Sequence, residues 1–435
     1  MPRLLLRRLF LLTFAVAVVI YVTLLQTLRC PLKESDHLPM ESSMVEYPAL
    51  DTRGYMVSFR FYEQQTQGLH NLIQFQCVAY SYGLRVVEPF VTNSMFTIPF
   101  QDFLQHQPEE YLKLGDLIDI KMLHKNTSAT YPPLSSWDNF LKVAPRNVII
   151  NCIRYRNPPI IHLPKPGFNF RTGCTPQCYK KFNATLTFLS KHGFKLVRKS
   201  CSNFVDYPGS VSVDDFGENI FGKHNPANVT VIINEFRGLF GLYRLPLRSP
   251  CGLTRESSKM TVFPSLRIMN DARAYSQQTF KGQLYVGVVA RVERIILHLH
   301  YKIEQCAAEV KGILKRLATE KGLSNVFLAL DVGKFGSRGA NQANLLPKGK
   351  VLFDAIYGNE KWAFEEWERS FSDISSSDNA AYVANLQRTL VAKAECLIMI
   401  GGGGFQGQAR NLYERFHPET SHQCVYRVCN LERTP

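Results

Sequence analysis

The sequence predicts an α/β protein with two Rossmann-like domains that face a cleft, preceded by an N-terminal transmembrane helix. Three observations lead to this prediction: an apolar segment near the N-terminus, and two separate series in which buried-type strands alternate with helical patterns. The predicted parts are a cytoplasmic tail (1–8), a signal anchor (9–28), a stem (29–53), an N-terminal domain (54–247) and a C-terminal domain (253–430). Pro250 and Gly252 lie between the two domains, where they break any regular element and favour a linker.

The apolar segment determines the expected topology. Residues 9–25 carry no charge, and extension to residue 28 gives the length of about 20 that crosses a bilayer. Arg3, Arg7 and Arg8 precede it, and because positive charge tends to stay cytoplasmic, the rest of the chain should be translocated. Cleavage of a signal peptide after Ala15-Val16-Ala17 is the alternative, but those alanines lie in the middle of the apolar run. We therefore predict a single-pass type II protein.

The cysteines agree with an oxidising lumen, because all eleven occur at or after Cys30. An odd count leaves one thiol over. Cys30 could form an intermolecular bridge, and so a homodimer, or carry an acyl group; a buried free thiol at Cys77 or Cys396 is the alternative. For Cys174 and Cys178 we expect disulfides in preference to zinc, since no second matching pair occurs. The sequons at Asn126, Asn183 and Asn228 could be glycosylated in a lumen.

The charge is strongly positive, with a formal net value of +15. Five of these charges precede the first acid, Glu34, so the lumenal body carries about +10. A basic body suits a polyanionic ligand such as a nucleotide diphosphate, a phospholipid head group or a sulfated glycan. The predicted topology excludes nucleic acid.

The first series begins with a predicted strand at 55–61, a polar turn at 63–68, a helix at 69–82 that Gly83 stops, and a strand at 84–89. Further strands are predicted at 147–151 and 228–234, and a helix at 178–192. The second series consists of strands at 283–290, 325–331 and 396–400 and helices at 303–321 and 382–394. This alternation is typical of parallel sheets with a ligand crevice at the carboxyl ends of the strands.

Several candidate binding residues lie where predicted strands end. Gly68, His70 and Asn71 occupy the turn into the first helix, where a glycine admits a ligand and helix N–H groups favour anions. A simple capped loop is the alternative. Arg291 follows a buried strand, so its guanidinium could bind a diphosphate through two parallel hydrogen bonds. Arg294 is more simply read as a solvated charge at a helix start.

Two further strands end in the same way. Asp331 could contact a ribose, a base or an arginine, although a helix N-cap explains it equally well. Lys334 and Arg338 lie in the loop beyond it. Gly403, Gly404 and Phe405 follow the last buried strand in a run of glycines, whose backbone amides could surround phosphate oxygens. A flexible turn is the alternative.

Glu235 closes the last strand of the predicted N-terminal domain. It could act as a general base, although an ion pair with Arg237 is the simpler reading. No Asp-x-Asp sequence occurs in the chain. Arginine and helix termini, in place of a bound metal, are therefore expected to carry the positive charge of the site, and no metal ligands are predicted.

At these residues the chain resembles the GDP-fucose protein O-fucosyltransferase superfamily. That family has a glycine-and-asparagine turn into its first helix, and Gly68 and Asn71 occupy comparable places here. It has a His-x-Arg motif after the first strand of its second domain, whose arginine contacts the donor diphosphate. Arg291 corresponds to that arginine, and Val289 stands in the place of the histidine.

The resemblance extends to the later strands. The Ser-Ser-Phe-type segment of the family, which lies at the phosphates, is matched by Gly403-Gly404-Phe405, and Asp331 resembles the acid that ends the intervening strand. The resemblance implies a GT-B-like fold and residence in the Golgi membrane or endoplasmic reticulum. It also implies inverting transfer without a metal or other cofactor, with GDP-fucose as the donor.

We therefore predict a type II glycosyltransferase. Arg291 and backbone amides would neutralise the departing nucleoside diphosphate, while a carboxylate such as Glu235 deprotonates a hydroxyl of a glycan or glycoprotein. One alternative is an inactive relative that binds a glycan or nucleotide, favoured by Val289. Another is a lumenal sulfotransferase, although residues 64–68 lack the basic residues of its phosphate loop and contain a single hydroxyl residue, Thr66.

Overall fold

The structure is a computed structural model, and its described residues all belong to one compact unit within 49–435. They are 54–61, 65–92, 95–97, 111–126, 134–156, 176–205, 213–221, 228–236, 262–298, 302–333, 342–358, 363–375, 379–419 and 423–429. The predicted tail, anchor, stem and linker lie outside these ranges, so the division into domains stays a prediction. None of the helices in the described ranges is both long and apolar enough to cross a membrane.

Two parallel sheets form the framework. The strands are β1 (Gly54–Ser58), β2 (Leu84–Val86), β3 (Phe90–Thr92), β4 (Met95–Thr97), β5 (Asn147–Arg156), β6 (Lys195–Val205), β7 (Thr230–Ile233), β8 (Tyr285–Ala290), β9 (Asn325–Leu330), β10 (Cys396–Ile400) and β11 (Val425–Val428). The first sheet has the order β2-β1-β7-β5-β6 and the second the order β11-β10-β8-β9. All strand pairs in these two sheets are parallel, whereas β3 and β4 form a separate antiparallel pair. The predicted α/β class with parallel sheets is confirmed.

Helices connect the strands, as parallel pairing requires. They are α1 (Gln65–Ser81), α2 (Leu114–Leu117), α3 (Ile120–Asn126), α4 (Trp137–Val143), α5 (Pro176–Lys181), α6 (Asn183–Lys191), α7 (Val213–Phe221), α8 (Leu266–Phe280), α9 (Ile303–Lys321), α10 (Gln342–Tyr357), α11 (Phe364–Ser375), α12 (Ala380–Ala392) and α13 (Gly404–Phe416). A π-helix, Arg294–His298, follows β8. Local sequence explains several ends: Gly83 adopts φ +67° after α1, and Gly322 adopts φ +68° after α9.

Helix α12 joins the cores of the two sheets. Its residues are almost all buried, and it packs against β8, β9, α8 and α13. At its start, Ala381 and Tyr382 belong to the apolar core beneath the first sheet. The Tyr382 hydroxyl donates to Asp271 Oδ2 over 2.7 Å. The helix also buries polar side chains, and they are hydrogen-bonded: Arg388 donates to Asn385 Oδ1 over 2.6 Å and to Gln408 Oε1 over 2.7 Å.

Hydrogen bonds also connect segments that are far apart in sequence. Ser265 Oγ donates to the Asp116 carbonyl over 2.6 Å and accepts from Ile268 N, so the residue that caps α8 also holds the end of α2. Asn379, the N-cap of α12, donates to the Val91 carbonyl over 3.0 Å. Polar contacts therefore connect α8 to α2 and α12 to the β3–β4 pair.

Disulfide bonds confirm the predicted use of cysteine. Three pairs are Cys152–Cys178, Cys306–Cys429 and Cys396–Cys424. Cys77 is also disulfide-bonded, as is Cys201. The prediction of a free buried thiol at Cys77 or Cys396 is therefore wrong. Both cysteines lie in apolar stretches of the sequence, which suggested buried free thiols. The spacing of the cysteines did not reveal which of them are paired. Cys30 and Cys174 lie outside the described residues.

Candidate functional site

The carboxyl ends of β8, β9 and β10 form the candidate site. Ala290 pairs with both Leu330 and Ile400, so the residues that follow these strands, Arg291, Asp331 and Gly401, leave the sheet side by side. After β8 the chain adds β9 on one side, and it then crosses over to add β10 on the other side of β8. The topological switch point of the sheet therefore lies between β8 and β10. Ligands of open parallel sheets bind at such a switch point, outside the carboxyl ends of the strands.

Arg291 lies at the centre of this group. Its backbone N–H donates to the Ile400 carbonyl over 3.1 Å, which fixes the residue to the end of β10. Its guanidinium lies 3.8 Å from Asp331 Oδ2 and 3.8 Å from Glu293 Oε2, and 27% of its side chain is exposed. The guanidinium is therefore oriented by two carboxylates and remains open to solvent.

Asp331 performs two of the roles expected from the sequence at once. Its Oδ1 accepts from Val292 N over 2.7 Å, so it caps the helical turn that follows β8 from a neighbouring strand. The same carboxylate contacts Arg291. Burial raises its pKa to about 6 from an ordinary 3.8, and Arg291 together with the N–H groups of Val292 and Glu293 opposes that rise.

The raised pKa gives a pH prediction for Asp331→Asn. The neutral acid is favoured in the folded state, so the wild-type protein loses stability as pH rises from about 4 to about 6 and no further above that. Asparagine does not titrate. As pH rises across this window, wild type loses stability and the variant does not. The free energy of unfolding of the variant minus that of wild type should therefore increase by on the order of 2 kcal/mol. Urea unfolding at pH 4.5 and 7.5 measures this change, and an equal difference at both pH values would contradict it.

The glycine turn after β10 completes the site. Gly401, Gly402 and Gly403 have φ values of +94°, +72° and +131°, a backbone path that side-chain-bearing residues rarely adopt. A methyl group on Gly403 would lie 3.1 Å from Arg291 Nη1, so the guanidinium packs directly on this turn. Helix α13 begins at Gly404, and its first N–H groups have no partner within the helix. The turn therefore presents both backbone amides and an arginine to an anion.

The buried side chain of Gln406 anchors the glycine turn to the sheet. This side chain is 2% exposed, and its Nε2 donates to the carbonyls of Val289 and Ile400 over 3.2 and 2.5 Å. The side chain therefore links the first turn of α13 to both strands of the switch point. The sequence places Gln406 at the end of the glycine run, but it could not show these contacts, which depend on the pairing of β8 with β10.

Glu293 is a second residue that sequence reasoning did not select. Sequence analysis proposed only Arg291 from this segment, whereas the structure places Glu293 beside its guanidinium with 30% of the side chain exposed. Arg294 is exposed, as expected for a solvated charge. Lys334 and Arg338 lie outside the described residues.

Glu235 lies at the switch point of the first sheet, which falls between β1 and β7. Its Oε1 is 3.7 Å from Arg60 Nε, and 9% of its side chain is exposed. The Phe236 N–H donates to the Arg60 carbonyl over 2.9 Å, which brings the two strand ends together. Arg60 is a partner that sequence spacing could not show, and Arg237 lies outside the described residues.

The turn predicted at 63–68 is shorter than expected, so Gly68 lies inside the first helix, where the predicted helix 69–82 already placed His70 and Asn71. Helix α1 begins at Gln65, so Gly68 and Asn71 lie within its first two turns, and both are buried. The polar residues before Gly68 suggested a loop, but Leu69, Leu72 and the following core contacts stabilise a longer helix. The His70 backbone lies in the same helix. Helix α1, which contains Gly68, His70 and Asn71, contacts α13, the helix that follows the glycine turn.

No group of three or more histidine, cysteine or acidic side chains within the described ranges could hold a metal ion. The positive charge that the described site offers comes from Arg291 and the start of α13.

Comparison with known proteins gives structural neighbours only. No family model matches the chain, and no curated protein matches it. The structural neighbours include crystal structures of POFUT1, a GDP-fucose protein O-fucosyltransferase. A crystal structure of POFUT1 in complex with GDP has 14% sequence identity and a TM-score of 0.44, covering 87% of this chain and 99% of that chain. The complex of POFUT1 with GDP-fucose has 14% identity and a TM-score of 0.45, covering 88% of this chain and 99% of that chain.

Proposed function

We propose that the protein is a glycosyltransferase that uses a nucleoside-diphosphate sugar, with GDP-fucose as the best candidate donor. The observation that carries the proposal is the packing of the Arg291 guanidinium on the glycine turn at the start of α13. A diphosphate bound there would meet a planar guanidinium and backbone amides at a switch point, the arrangement that suits this ligand. The motif resemblance of the sequence supports fucose and a GT-B-like arrangement of two domains.

The chemistry follows from charge. As the sugar leaves, negative charge develops on the nucleoside diphosphate, and Arg291 with the amides of Gly403, Gly404 and Phe405 would stabilise it. Asp331 and Glu293 hold the guanidinium in place, because each carboxylate lies 3.8 Å from one of its nitrogens. An arginine held in this way could neutralise the diphosphate in place of a metal ion. The inverting mode of transfer is what the resemblance implies. Glu235 remains the proposed base for the acceptor hydroxyl of a glycan or glycoprotein.

The proposed setting is the lumen of the Golgi or endoplasmic reticulum, with a type II anchor. The apolar segment at 9–28, the preceding arginines and the disulfide bonds support it.

A thermal-shift screen tests the donor class. The full chain, with EDTA present, is heated with GDP, UDP, GDP-fucose, UDP-sugars and the nucleotide sulfate donor. A nucleotide at about 100 times its Kd should add about 2.7 kcal/mol to the free energy of unfolding. We expect the guanine nucleotides to give the largest shift. A response to the sulfate donor alone, or to none of these nucleotides, would overturn the proposal.

A second candidate is a relative that binds the nucleotide but transfers nothing. Val289, which stands in the place of the family histidine, is 1% exposed within the core of the second sheet. A donor-hydrolysis and transfer assay distinguishes the two. A guanine-nucleotide shift without any turnover of GDP-fucose would favour this second function.

A further inference from the structure

One segment of the chain, outside the proposed donor site, carries many basic residues and no acidic ones. From Asn139 to Val205 the sequence contains twelve lysines and arginines and no aspartate or glutamate. The whole chain has 36 acidic residues among 435, so a stretch of this length would ordinarily contain several. The segment therefore contributes +12 to a formal net charge that is +15 for the whole chain.

This segment folds at one edge of the first sheet. It includes most of α4, all of β5, α5 and α6, and the edge strand β6, which pairs with β5. We call its described cations the basic edge: Lys142, Arg146, Lys180, Lys191, Lys195, Arg198 and Lys199. The five lysines and Arg146 are exposed, and Arg198 is partly buried.

Within the described ranges, no carboxylate forms an ion pair with any cation of the basic edge. The arginines instead contact neutral groups. Arg146 lies 4.6 Å from the ring centroid of Phe194 and donates to the Leu141 carbonyl, and Arg198 donates to the Ile220 carbonyl over 3.0 Å. Surface cations are normally interspersed with acids, which limits their field. Here no ion pair with a described carboxylate neutralises these cations, so together they would attract a polyanion.

The cations lie on both faces of the edge strand. Lys199 pairs with Ile150 and lies 6.0 Å from the ring of Tyr179 in α5. Arg198, the preceding residue, points to the other face and reaches α7. A flat surface such as a membrane can meet only one of these faces at a time, whereas a flexible chain can follow the edge and contact both.

We propose that the basic edge binds a flexible anionic glycan chain, of the sulfated polysaccharide class. Lysine ammonium groups suit this ligand, because each is a compact point charge on a flexible stem. Single-stranded nucleic acid would also be flexible, but its binding surfaces carry exposed aromatic side chains for base stacking. Among the described residues of this edge, the exposed large apolar side chains are those of Val143, Leu196 and Val197, which are aliphatic. The binding is independent of donor binding at Arg291.

The test uses the full chain in detergent and measures binding to immobilised heparin and to chemically desulfated heparin. The variant Lys195→Gln/Lys199→Gln removes two charges of the basic edge, both on exposed side chains. Its matched control is Lys311→Gln/Lys315→Gln, which removes two exposed lysines from α9, a helix that also carries acids. Parallel measurements use oligo-dT and nanodiscs containing phosphatidylserine.

Wild type and the control should bind heparin alike, and both should lose binding when sulfate is removed. The basic-edge variant should bind heparin about tenfold more weakly at 0.1 M salt. The slope of log affinity against log salt should fall by about 1.4, at roughly 0.7 for each lost contact to a flexible polyanion. Equal heparin affinity of the two variants would overturn the proposal. Tighter binding of wild type to oligo-dT or to the nanodiscs than to heparin would also overturn it, in favour of those partners.

Discussion

Arg291→Lys is expected to lower the rate of sugar transfer by roughly thirty- to a thousand-fold, with the fold unchanged. Lysine keeps the charge but loses the planar fork that Asp331 and Glu293 orient on either side. Loss of one charge-assisted contact to the departing diphosphate should cost about 2–4 kcal/mol of transition-state stabilisation. The measurement is kcat/KM with the donor found in the nucleotide screen, together with the nucleotide thermal shift.

Arg294→Lys is the matched control. This arginine lies three residues further along and is exposed, so its change should alter the rate less than about threefold. If the Arg291 variant keeps the full nucleotide shift or full activity, the diphosphate does not bind at the glycine turn.

Gly401→Ala should destabilise the protein by about 3–5 kcal/mol, with loss of nucleotide binding in the fraction that folds. Gly401 has φ +94°, and a methyl group there would lie 2.6 Å from Ile295 Cγ1 and 3.1 Å from the Arg291 carbonyl. The unfavourable backbone conformation costs about 1–3 kcal/mol, and the steric overlap adds a similar amount. Urea unfolding followed by circular dichroism measures the change.

Gly407→Ala serves as the control for this substitution. Gly407 lies within α13, and a methyl group there meets nothing within 4 Å. The change should stabilise the protein by up to about 1 kcal/mol, because alanine is the better helix former. Equal effects of the two substitutions would mean that the turn tolerates a side chain and is not held in the described conformation.

The second sheet was the more predictable from sequence. Three of its strands, β8, β9 and β10, are largely apolar runs, as parallel strands buried on both faces require, and β10 and α9 begin and end where the patterns predict. The edge strand β11, which contains the exposed Arg427, was not predicted. The candidate site residues Arg291 and Asp331 could be selected because each directly follows an apolar run, and Gly403 because it lies in the glycine run that begins after β10. What the sequence could not show was that Ala290 pairs with both Leu330 and Ile400, which brings those residues together.

The first sheet was harder to predict for physical reasons. β6 was missed because an edge strand with lysine, arginine and serine lacks an apolar period, and its register shifts beside Val148. The ion pair of Arg60 with Glu235 joins residues far apart in sequence that only the β1–β7 pairing brings together. The start of α1 was placed four residues late, because the end of a helix is less strongly encoded than its apolar face.

Hydrogen exchange with and without saturating GDP tests the central claim most directly, because it reports where the nucleotide lies. Peptides that contain Val292, Glu293 and Gly403 to Gln406 should exchange more slowly when GDP is bound, since their amides lie at the described switch point. The strand β6 should be unchanged. Protection confined to the basic edge, or thermal stabilisation by GDP without any protection of the glycine turn, would contradict the account.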